Sequence, residues 1–288
     1  MKPSGRTKPF AVLGHPIEHT LSPAMHNASM REIGFDGIYL ALDVKPEELP
    51  SVLPAMAKMG FAGVNLTVPH KEVALHVLDR LDESARLFGA ANTVEFSSGE
   101  LVGHNTDGYG FLAALEEAFG RGVEGDAVFV LGCGGAGRAV ALQAATSGAK
   151  TVALCDVDNL RVRRLRDEIA EKAPGAEVVP VLCDCERDEI CRACDVVVQA
   201  SPVGMKPDDP SLLPAEAFRE GQRVFDLIYM YPETAFLGVA RAAGARIANG
   251  LGMLLHQGAR AFEIWTGEAP SVSAMRAALE SAVYGEPA

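Results

Sequence analysis

Lys71 is a residue whose type and position suggest chemistry rather than structure. It stands where an apolar, strand-like run, AGVNLTV, passes into a helix-like run, KEVALHVLDRL. The start of a helix carries partial positive charge and favours Asp or Glu, so an ammonium has no structural reason to stand there. An ordinary solvated lysine is the alternative. An ammonium can stabilise negative charge that develops on a substrate oxygen and donate a proton to it, so Lys71 is a candidate general acid and base.

A glycine-rich segment, VFVLGCGGAGRAVALQAAT, indicates a second kind of chemistry. Its G-x-G-x-x-G pattern lies between a strand-like run and a helix-like run. In that context the glycines allow a tight turn and the close approach of a pyrophosphate, whose charge lies at the helix N-terminus. The segment therefore predicts a dinucleotide site at Gly132, Gly134, Gly135, Ala136 and Gly137.

Asp156 ends the next strand-like run, TVALCD, about 20 residues after the last of these glycines. A carboxylate at this position accepts hydrogen bonds from the adenosine ribose hydroxyls and repels a 2′-phosphate. Arg161 follows closely and would partly offset that repulsion. The alternative is an Asp that caps the next turn and an arginine on a solvated helix face. The expected cofactor is therefore NAD or NADP, with NAD favoured by Asp156.

Cysteine and histidine clusters raise the question of a metal site. Four of the six cysteines lie in CDCERDEICRAC, at Cys183, Cys185, Cys191 and Cys194. Their spacing matches no standard structural zinc site, and Cys191 and Cys194 fall on one face of a predicted helix as small core residues. His15, His19 and His26 are interpreted as solvated loop histidines. No metal is expected, and disulfides are not expected in a reducing cytoplasm.

Strand-like and helix-like segments alternate along the whole chain. FAVLG, IYLALDV and AGVNLTV each precede an amphipathic segment, and the strand pattern starts again at AVFVLG. This alternation predicts an α/β fold with mostly parallel sheets, in which the second half forms a doubly wound, Rossmann-type dinucleotide-binding domain. The predicted domains are residues 1–105, completed by C-terminal helices in 252–288, and residues 106–251.

The composition argues for an ordinary globular protein. The 288 residues are 48% hydrophobic and 22% charged, with a net charge of −12. An acidic balance does not favour nucleic acid or an anionic membrane as partner. No apolar run approaches the roughly 20 residues that cross a bilayer, and the N-terminus lacks the apolar core of a signal peptide. We expect a cytoplasmic protein that binds a small molecule and is a monomer or homodimer.

Several motifs can be compared with known families. They are GHPIEHTLSPAMHN, NLTVPHK, GAANTV, GHNTDGYG, GCGGAG and NGLGMLLHQGARAFEIWTG. Together they resemble the shikimate dehydrogenase family over nearly the whole chain. The resemblance implies an NAD(P)-dependent oxidoreductase of aromatic amino acid biosynthesis, the chorismate pathway, that interconverts 3-dehydroshikimate and shikimate.

The same resemblance implies roles for individual residues. Lys71 and the aspartate of NTDG, Asp107, would form the catalytic pair. The residues that would line the substrate pocket are Thr20, Ser22, Thr67, Asn92, Tyr229 and Gln257, and Gly250 would lie against the nicotinamide. Hydroxyl and amide groups suit a polyol acid, because each buried donor left unpaired costs about 1 to 3 kcal/mol. Taken singly, these residues also fit strand ends, turns and helix faces, and Asp107 fits a helix N-terminus.

The chain departs from the family pattern in two places, one residue and one run of three residues. Thr20 stands where the family usually has Ser, and its extra methyl group narrows the site that grips the substrate carboxylate. Asp156, Val157 and Asp158 replace the Asn-Arg-Thr run of many NADP-dependent members, while Arg161 matches a second basic position of those members. The first departure bears on substrate choice and the second on cofactor choice.

Three alternatives remain beside the main interpretation. Quinate dehydrogenase acts on a ring with one more hydroxyl, although we expect shikimate to be the better substrate. Methylene-tetrahydrofolate dehydrogenase also pairs a lysine-bearing domain with a nucleotide domain, but it would not explain TLSP together with NTDG. A catalytically silent binding protein is disfavoured because Lys71 and Asp107 are both present.

Overall fold

The structure is a computed structural model that describes residues 3–97 and 99–285. The chain divides into two compact units, of which the first comprises the chain up to Gly110 together with the chain from Leu255, and the second is Phe111–Leu254. The domain boundaries expected after residues 105 and 251 stay a prediction. Within the described ranges, no helix has both the length and the apolar character needed to span a bilayer.

Twelve strands and eleven α-helices alternate along the described chain. The strands are β1 (Lys8–Gly14), β2 (Gly37–Asp43), β3 (Gly63–Leu66), β4 (Arg80–Leu81), β5 (Thr93–Ser97), β6 (Glu100–His104), β7 (Ala127–Leu131), β8 (Thr151–Cys155), β9 (Glu177–Val181), β10 (Val196–Gln199), β11 (Arg223–Asp226) and β12 (Arg246–Asn249). The helices are α1 (Ser22–Glu32), α2 (Leu49–Lys58), α3 (His70–Val73), α4 (Glu83–Phe88), α5 (Asp107–Phe119), α6 (Gly135–Thr146), α7 (Asn159–Lys172), α8 (Asp184–Ala193), α9 (Ala235–Ala242), α10 (Leu251–Thr266) and α11 (Val272–Tyr284).

The first unit is built on a six-stranded mixed sheet with the order β2-β1-β3-β5-β6-β4. β1 pairs in parallel with β2 and β3, whereas β5 is antiparallel to β3 and β6. Successive side chains of β1 point to opposite faces. Leu13 packs in a buried cluster with Leu53 of α2, and Phe10 packs in a second cluster with Phe262 of α10. Both faces of the sheet are therefore covered, as an α/β sheet requires.

The C-terminal helices return to the first unit, as predicted. Ser271 is the N-cap of α11, and its side chain accepts a hydrogen bond from the N–H of Ala274. The backbone N–H of Ser271 donates to the Oγ atom of Ser29 in α1 at 2.9 Å. This contact fixes the start of α11 against α1.

The second unit has the doubly wound sheet that the sequence predicts. Its six strands run in the order β12-β11-β10-β7-β8-β9, and every pair is parallel. The central strands β7 and β10 are buried along nearly their whole length, which explains their continuous Val and Phe content. The strand order reverses between β7 and β10, where α/β proteins of this type bind their ligands.

Candidate active site

Lys71 and Asp107 form an ion pair in which Nζ and Oδ2 are 2.6 Å apart. Lys71 lies in the first turn of α3, and Asp107 is the first residue of α5. The two side chains are 33% and 16% exposed, so the ammonium remains accessible while the carboxylate is largely enclosed. A helix N-terminus favours the carboxylate, and the carboxylate in turn compensates for the unfavourable position of the lysine. The structure thus brings together the two residues that the sequence identifies as a catalytic pair.

Asn92 is the centre of the hydrogen-bond network around Asp107. Its Nδ2 group donates to Asp107 Oδ1 and to Thr106 Oγ1, both at 2.9 Å, and lies 3.4 Å from Gln257 Oε1. Its Oδ1 atom accepts from the N–H of Thr106 at 2.8 Å and from Thr93 Oγ1 at 3.0 Å. These partners fix the orientation of the buried amide. Three of the predicted site residues, Asn92, Asp107 and Gln257, therefore meet in one network.

The hydroxyl residues predicted to bind substrate follow two neighbouring parallel strands. Thr20 and Ser22 lie beyond β1 at the start of α1, where Thr20 Oγ1 donates to Ser22 Oγ at 3.3 Å. Thr67 comes directly after β3, which pairs with β1. Because the two strands are parallel, these residues lie at the same edge of the sheet. A Cβ atom on Gly14, the last residue of β1, would be 2.6 Å from Cγ2 of Thr67, so the close approach of the strand ends requires glycine.

Sequence reasoning missed a buried polar chain behind Asn92. The Tyr39 hydroxyl donates to Asn65 Oδ1 at 2.6 Å, and Asn65 Nδ2 donates to Thr93 Oγ1 at 3.0 Å and to the carbonyl of Asn92 at 3.1 Å. Burial raises the pKa of Tyr39, so the phenol stays a neutral donor. An asparagine inside the strand of NLTVPHK was the available signal, because a buried amide needs partners.

The glycine-rich loop between β7 and α6 has the geometry of a phosphate site. A Cβ atom on Gly137 would lie 1.8 Å from the carbonyl oxygen of Gly132, so strand and helix pack too closely there for any side chain. Nothing lies within 4 Å of a Cβ atom built on Gly134 or Gly135, which leaves the outside of the loop open. The first turn of α6 contains no acidic residue and has no side-chain cap, so its N–H groups can bind an anion. These residues fit the pyrophosphate of a dinucleotide.

Asp156 follows β8, and its carboxylate is held by two backbone N–H groups. The N–H of Cys133 in the glycine-rich loop donates to Oδ2 at 2.6 Å, and the N–H of Asp158 donates to Oδ1 at 2.8 Å. Arg161 is exposed, and its Nε atom lies 3.6 Å from Asp158 Oδ2. The carboxylate is therefore fixed beside the loop, and part of the charge of Arg161 is engaged by Asp158.

Tyr229 and Gly250 belong to the second unit. Asp226, at the end of β11, accepts a hydrogen bond from Thr234 Oγ1 at 2.6 Å and fixes the turn that leads to Tyr229. Burial raises the pKa of Asp226 to about 6 and also raises the pKa of Tyr229. A Cβ atom on Gly250 would lie 2.1 Å from the carbonyl oxygen of Leu227, so the backbone approach at that position excludes a side chain.

Two expectations about cysteine and histidine are wrong. Cys183 and Cys185, which lie two residues apart on the exposed turn that begins α8, form a disulfide; their Cα atoms are 5.4 Å apart, within the usual range for such a bond. Cys191 and Cys194 are buried, as predicted. His26 is not a solvated loop residue: it lies in α1, fully buried against a tyrosine ring, and burial lowers its pKa to about 3. Over residues 3–97 and 99–285, no group of three or more His, Cys, Asp and Glu residues is arranged to hold a metal ion.

Two known family profiles match this chain, one near its N-terminus and one near its C-terminus. The profile described as the shikimate dehydrogenase substrate binding domain matches residues 12–94, and that of the shikimate 5′-dehydrogenase C-terminal domain matches residues 250–280. A protein from Methanopyrus kandleri named shikimate dehydrogenase (NADP(+)) is 44% identical over 275 residues, which cover 95% of each chain.

Solved structures agree with the sequence comparison. A shikimate dehydrogenase in complex with NADP⁺ superposes with a TM-score of 0.90 at 37% identity, over 98% of each chain. The shikimate 5-dehydrogenase of Listeria monocytogenes, in complex with shikimate and NAD, gives a TM-score of 0.89 at 34% identity, over 96% of this chain and 97% of that chain. On these identities and this coverage, the chain belongs to the shikimate dehydrogenase family.

Proposed function

We propose that the protein interconverts 3-dehydroshikimate and shikimate by hydride transfer with a nicotinamide cofactor. The observation that best supports this reaction is the 2.6 Å contact between Lys71 Nζ and Asp107 Oδ2, beside the amides of Asn92 and Gln257. An accessible ammonium next to an enclosed carboxylate suits a ketone that has a hydroxyl group on the neighbouring ring carbon. The names of the relatives agree with this assignment.

The mechanism follows from the charges of the pair. When bound, the cofactor supplies the hydride to the ketone carbon and accepts it in the reverse direction. Lys71 stabilises the negative charge that develops on the ketone oxygen and donates a proton to that oxygen. In the oxidation direction, the neutral amine of Lys71 takes the proton of the substrate hydroxyl. Asp107 orients the lysine through Oδ2 and accepts a hydrogen bond from the adjacent hydroxyl, while Asn92 holds Oδ1.

The hydroxyl groups at the edge of the first sheet are proposed to bind the rest of the substrate. Thr20 and Ser22 bind the carboxylate, and Thr67 and Gln257 bind ring hydroxyls. Shikimate should be the better substrate and quinate a poor one, because the threonine methyl group occupies space that an extra hydroxyl needs. Comparable kcat/KM values for the two acids would contradict this, whereas Thr20→Ser should raise any activity with quinate.

We further propose that NAD is preferred over NADP, although the relatives are named for NADP(+). The proposal depends on Asp156, whose carboxylate is fixed by the N–H groups of Cys133 and Asp158. In that position it can accept hydrogen bonds from both ribose hydroxyls of NAD and repel a 2′-phosphate. The contact of Arg161 with Asp158 leaves less of its charge for a phosphate.

The test of the reaction is the turnover of Lys71→Ala with shikimate. Turnover is measured from the change in nicotinamide absorbance. We expect kcat to fall by about 10²-fold to 10⁴-fold, the contribution of a positioned general acid, with little change in cofactor affinity. Lys58→Ala is a matched control, because Lys58 is an exposed lysine in α2 of the same unit. Near-normal turnover of the Lys71 variant would remove the lysine from the mechanism.

Asp107→Asn tests whether the two residues act as one unit. Its turnover should also fall, and the double variant should be less impaired than the product of the two single effects. Effects that multiply would show that the residues act independently. The domain boundaries, the cytoplasmic location and the monomeric or homodimeric state stay predictions.

A further inference from the structure

His104, the last residue of β6, has its imidazole between two carboxylates. Nδ1 lies 3.2 Å from Asp82 Oδ2, and Nε2 lies 3.4 Å from Glu95 Oε2, with the imidazole side chain only 15% exposed. Asp82 belongs to the junction of β4 and α4, and Glu95 belongs to β5. The next charged groups on β4 and β6, Arg80 and Glu100, pair with each other at the surface. The imidazole therefore joins the elements on both sides of β6.

The arrangement favours a cation. Each ring nitrogen faces a carboxylate oxygen, and only an imidazolium can donate from both nitrogens. Burial opposes the charge, but the hydrogen bonds and charges of Asp82 and Glu95 outweigh it and raise the pKa of His104. Burial also opposes the charge of Asp82, but hydrogen bonds from His104, Ser84 and the N–H of Ala85 lower its pKa to about 2. The cation is therefore present below the raised pKa of His104 and is lost as pH rises through it.

A chain of hydrogen bonds connects this cluster to Asp107. Ser84 Oγ donates to Asp82 Oδ1 at 2.6 Å and accepts from the N–H of Asn105 at 2.8 Å. The Oδ1 atom of Asn105 then accepts from the N–H of Asp107 at 3.0 Å. Asn105 follows His104 directly, so the cluster fixes the two residues that lead into α5.

A second connection runs through the backbone of His104. Its carbonyl accepts a hydrogen bond from the N–H of Asn92 at 3.0 Å, and the Asn92 amide holds Asp107 Oδ1. We propose that His104 is a positioning residue: its imidazolium locks β6 to α4 and β5 and thereby holds the Asp107 carboxylate in place for Lys71 and the substrate. The proposal rests on the reaction proposed above, and His104 acts through its neighbours rather than on the reacting atoms.

The test compares kcat of His104→Gln with kcat of the parent from about pH 6 to about pH 10. The ratio of the two values removes any pH dependence that the two proteins share. At the acid end, where the parent carries the imidazolium, the ratio should fall to about one third to one thirtieth, the usual range for loss of an indirect coupling. Toward the alkaline end, where the parent loses the cation as well, the ratio should approach one.

His104→Lys provides the rescue, because an ammonium with the ordinary lysine pKa of about 10.4 keeps its charge over most of this range. It should restore most of the parental kcat at the acid end and should not lose activity relative to the parent at the alkaline end. Glu100→Gln is the matched control, since it removes a carboxylate from the exposed start of β6. Its ratio to the parent should stay near one at every pH, and the KM for the cofactor should be unchanged in all variants.

A ratio for His104→Gln that does not vary with pH, or stays near one, would overturn the proposal. If that variant does not fold, Glu95→Gln replaces it, because it removes one partner of the imidazole and leaves the Asp82 cap of α4 intact. Without Glu95 the imidazolium loses its proton more easily. The kcat of the variant should therefore decline at a lower pH than the kcat of the parent. If the parent is active on shikimate but the ratio of kcat for His104→Gln to kcat for the parent does not change with pH, only the positioning role is refuted. If the parent is inactive on shikimate, the proposed reaction and the positioning role are both refuted.

Discussion

Replacing Asp156 by Asn should shift the cofactor preference from NAD toward NADP. In the parent, the N–H groups of Cys133 and Asp158 hold the two carboxylate oxygens at 2.6 Å and 2.8 Å, so under the proposal above the carboxylate would face the adenosine ribose and could not turn away from it. A 2′-phosphate on that ribose would therefore stand close to a fixed like charge. The variant removes the charge while retaining one oxygen that can accept a hydrogen bond.

The size of the effect follows from Coulomb's law. Two unit charges about 5 Å apart repel by roughly 0.8 kcal/mol in bulk water and roughly 3 kcal/mol at an effective dielectric constant of about 20. Asp156 is partly buried, so its environment lies between these limits. A difference of about 1 to 3 kcal/mol corresponds to roughly a fivefold to hundredfold preference for NAD. Arg161 lowers the expected preference for NAD. Its contact with Asp158 keeps a positive charge beside the same turn, where it would partly offset the repulsion of a 2′-phosphate.

The assay is kcat/KM for NAD and for NADP at saturating shikimate, in the parent and in Asp156→Asn. The ratio of the two constants removes any general damage to the turn, since asparagine has only one acceptor oxygen for two N–H groups. Asp167→Asn is the matched control, because it removes an exposed carboxylate from α7, outside the turn that holds Asp156. Its ratio should change by less than about threefold. The combined variant Asp156→Asn, Val157→Arg, Asp158→Thr should shift furthest. A parent that already prefers NADP, or an Asp156→Asn variant with an unchanged ratio, would refute the reasoning.

The other predictions concern the second unit. Gly137→Ala should lower Tm and weaken dinucleotide binding, at a cost of about 1 to 3 kcal/mol, because the new Cβ atom would lie 1.8 Å from a carbonyl oxygen. Gly135→Ala, whose Cβ atom meets nothing within 4 Å, should keep the parental Tm in scanning calorimetry, and equal losses would contradict the packing argument. Asp226 has its pKa raised from 3.8 to about 6, so its charge destabilises the folded state increasingly as pH rises through that interval. Asp226→Asn should therefore gain about 3 kcal/mol relative to the parent between about pH 3.5 and about pH 7.5 in urea unfolding, and a pH-independent difference would contradict this. Thiol titration of the native protein should detect Cys183 and Cys185 only after reduction, because the other cysteines are buried; fast reaction before reduction would contradict the pairing.

Local patterns were sufficient to predict the fold and the glycine-rich turn between β7 and α6. The strand, the glycines and the helix that contains Gly137 are contiguous, so their spacing alone indicates a turn that a pyrophosphate can approach. The alternation of strands and helices likewise predicts a doubly wound sheet, because parallel strands need a crossover between them. The pairing of Lys71 with Asp107 came instead from resemblance, since 36 residues separate the two.

Tertiary contacts explain what sequence reasoning missed. The C-x-C spacing alone does not indicate the disulfide, which depends on a local turn that brings the two Cα atoms to 5.4 Å. The sequence around His26 resembles a loop with several histidines. In the structure, helix α1 directs the His26 side chain toward aromatic rings from distant parts of the chain. The partners of His104 lie on β5 and at the start of α4, so no short motif contains all three residues.

Residues that conflict with their local structure nevertheless marked the site. Lysine at a helix start and asparagine inside a buried strand are both locally unfavourable, and each is compensated by a partner far away in sequence: Lys71 by Asp107, and Asn65 by Tyr39 and Thr93. Such compensation stabilises the fold only if the partners keep their positions, so the same contacts that remove the local conflict also fix the groups for chemistry. It follows that a change to Asp107 should damage activity before it damages the fold, because the ion pair with Lys71 is only partly buried.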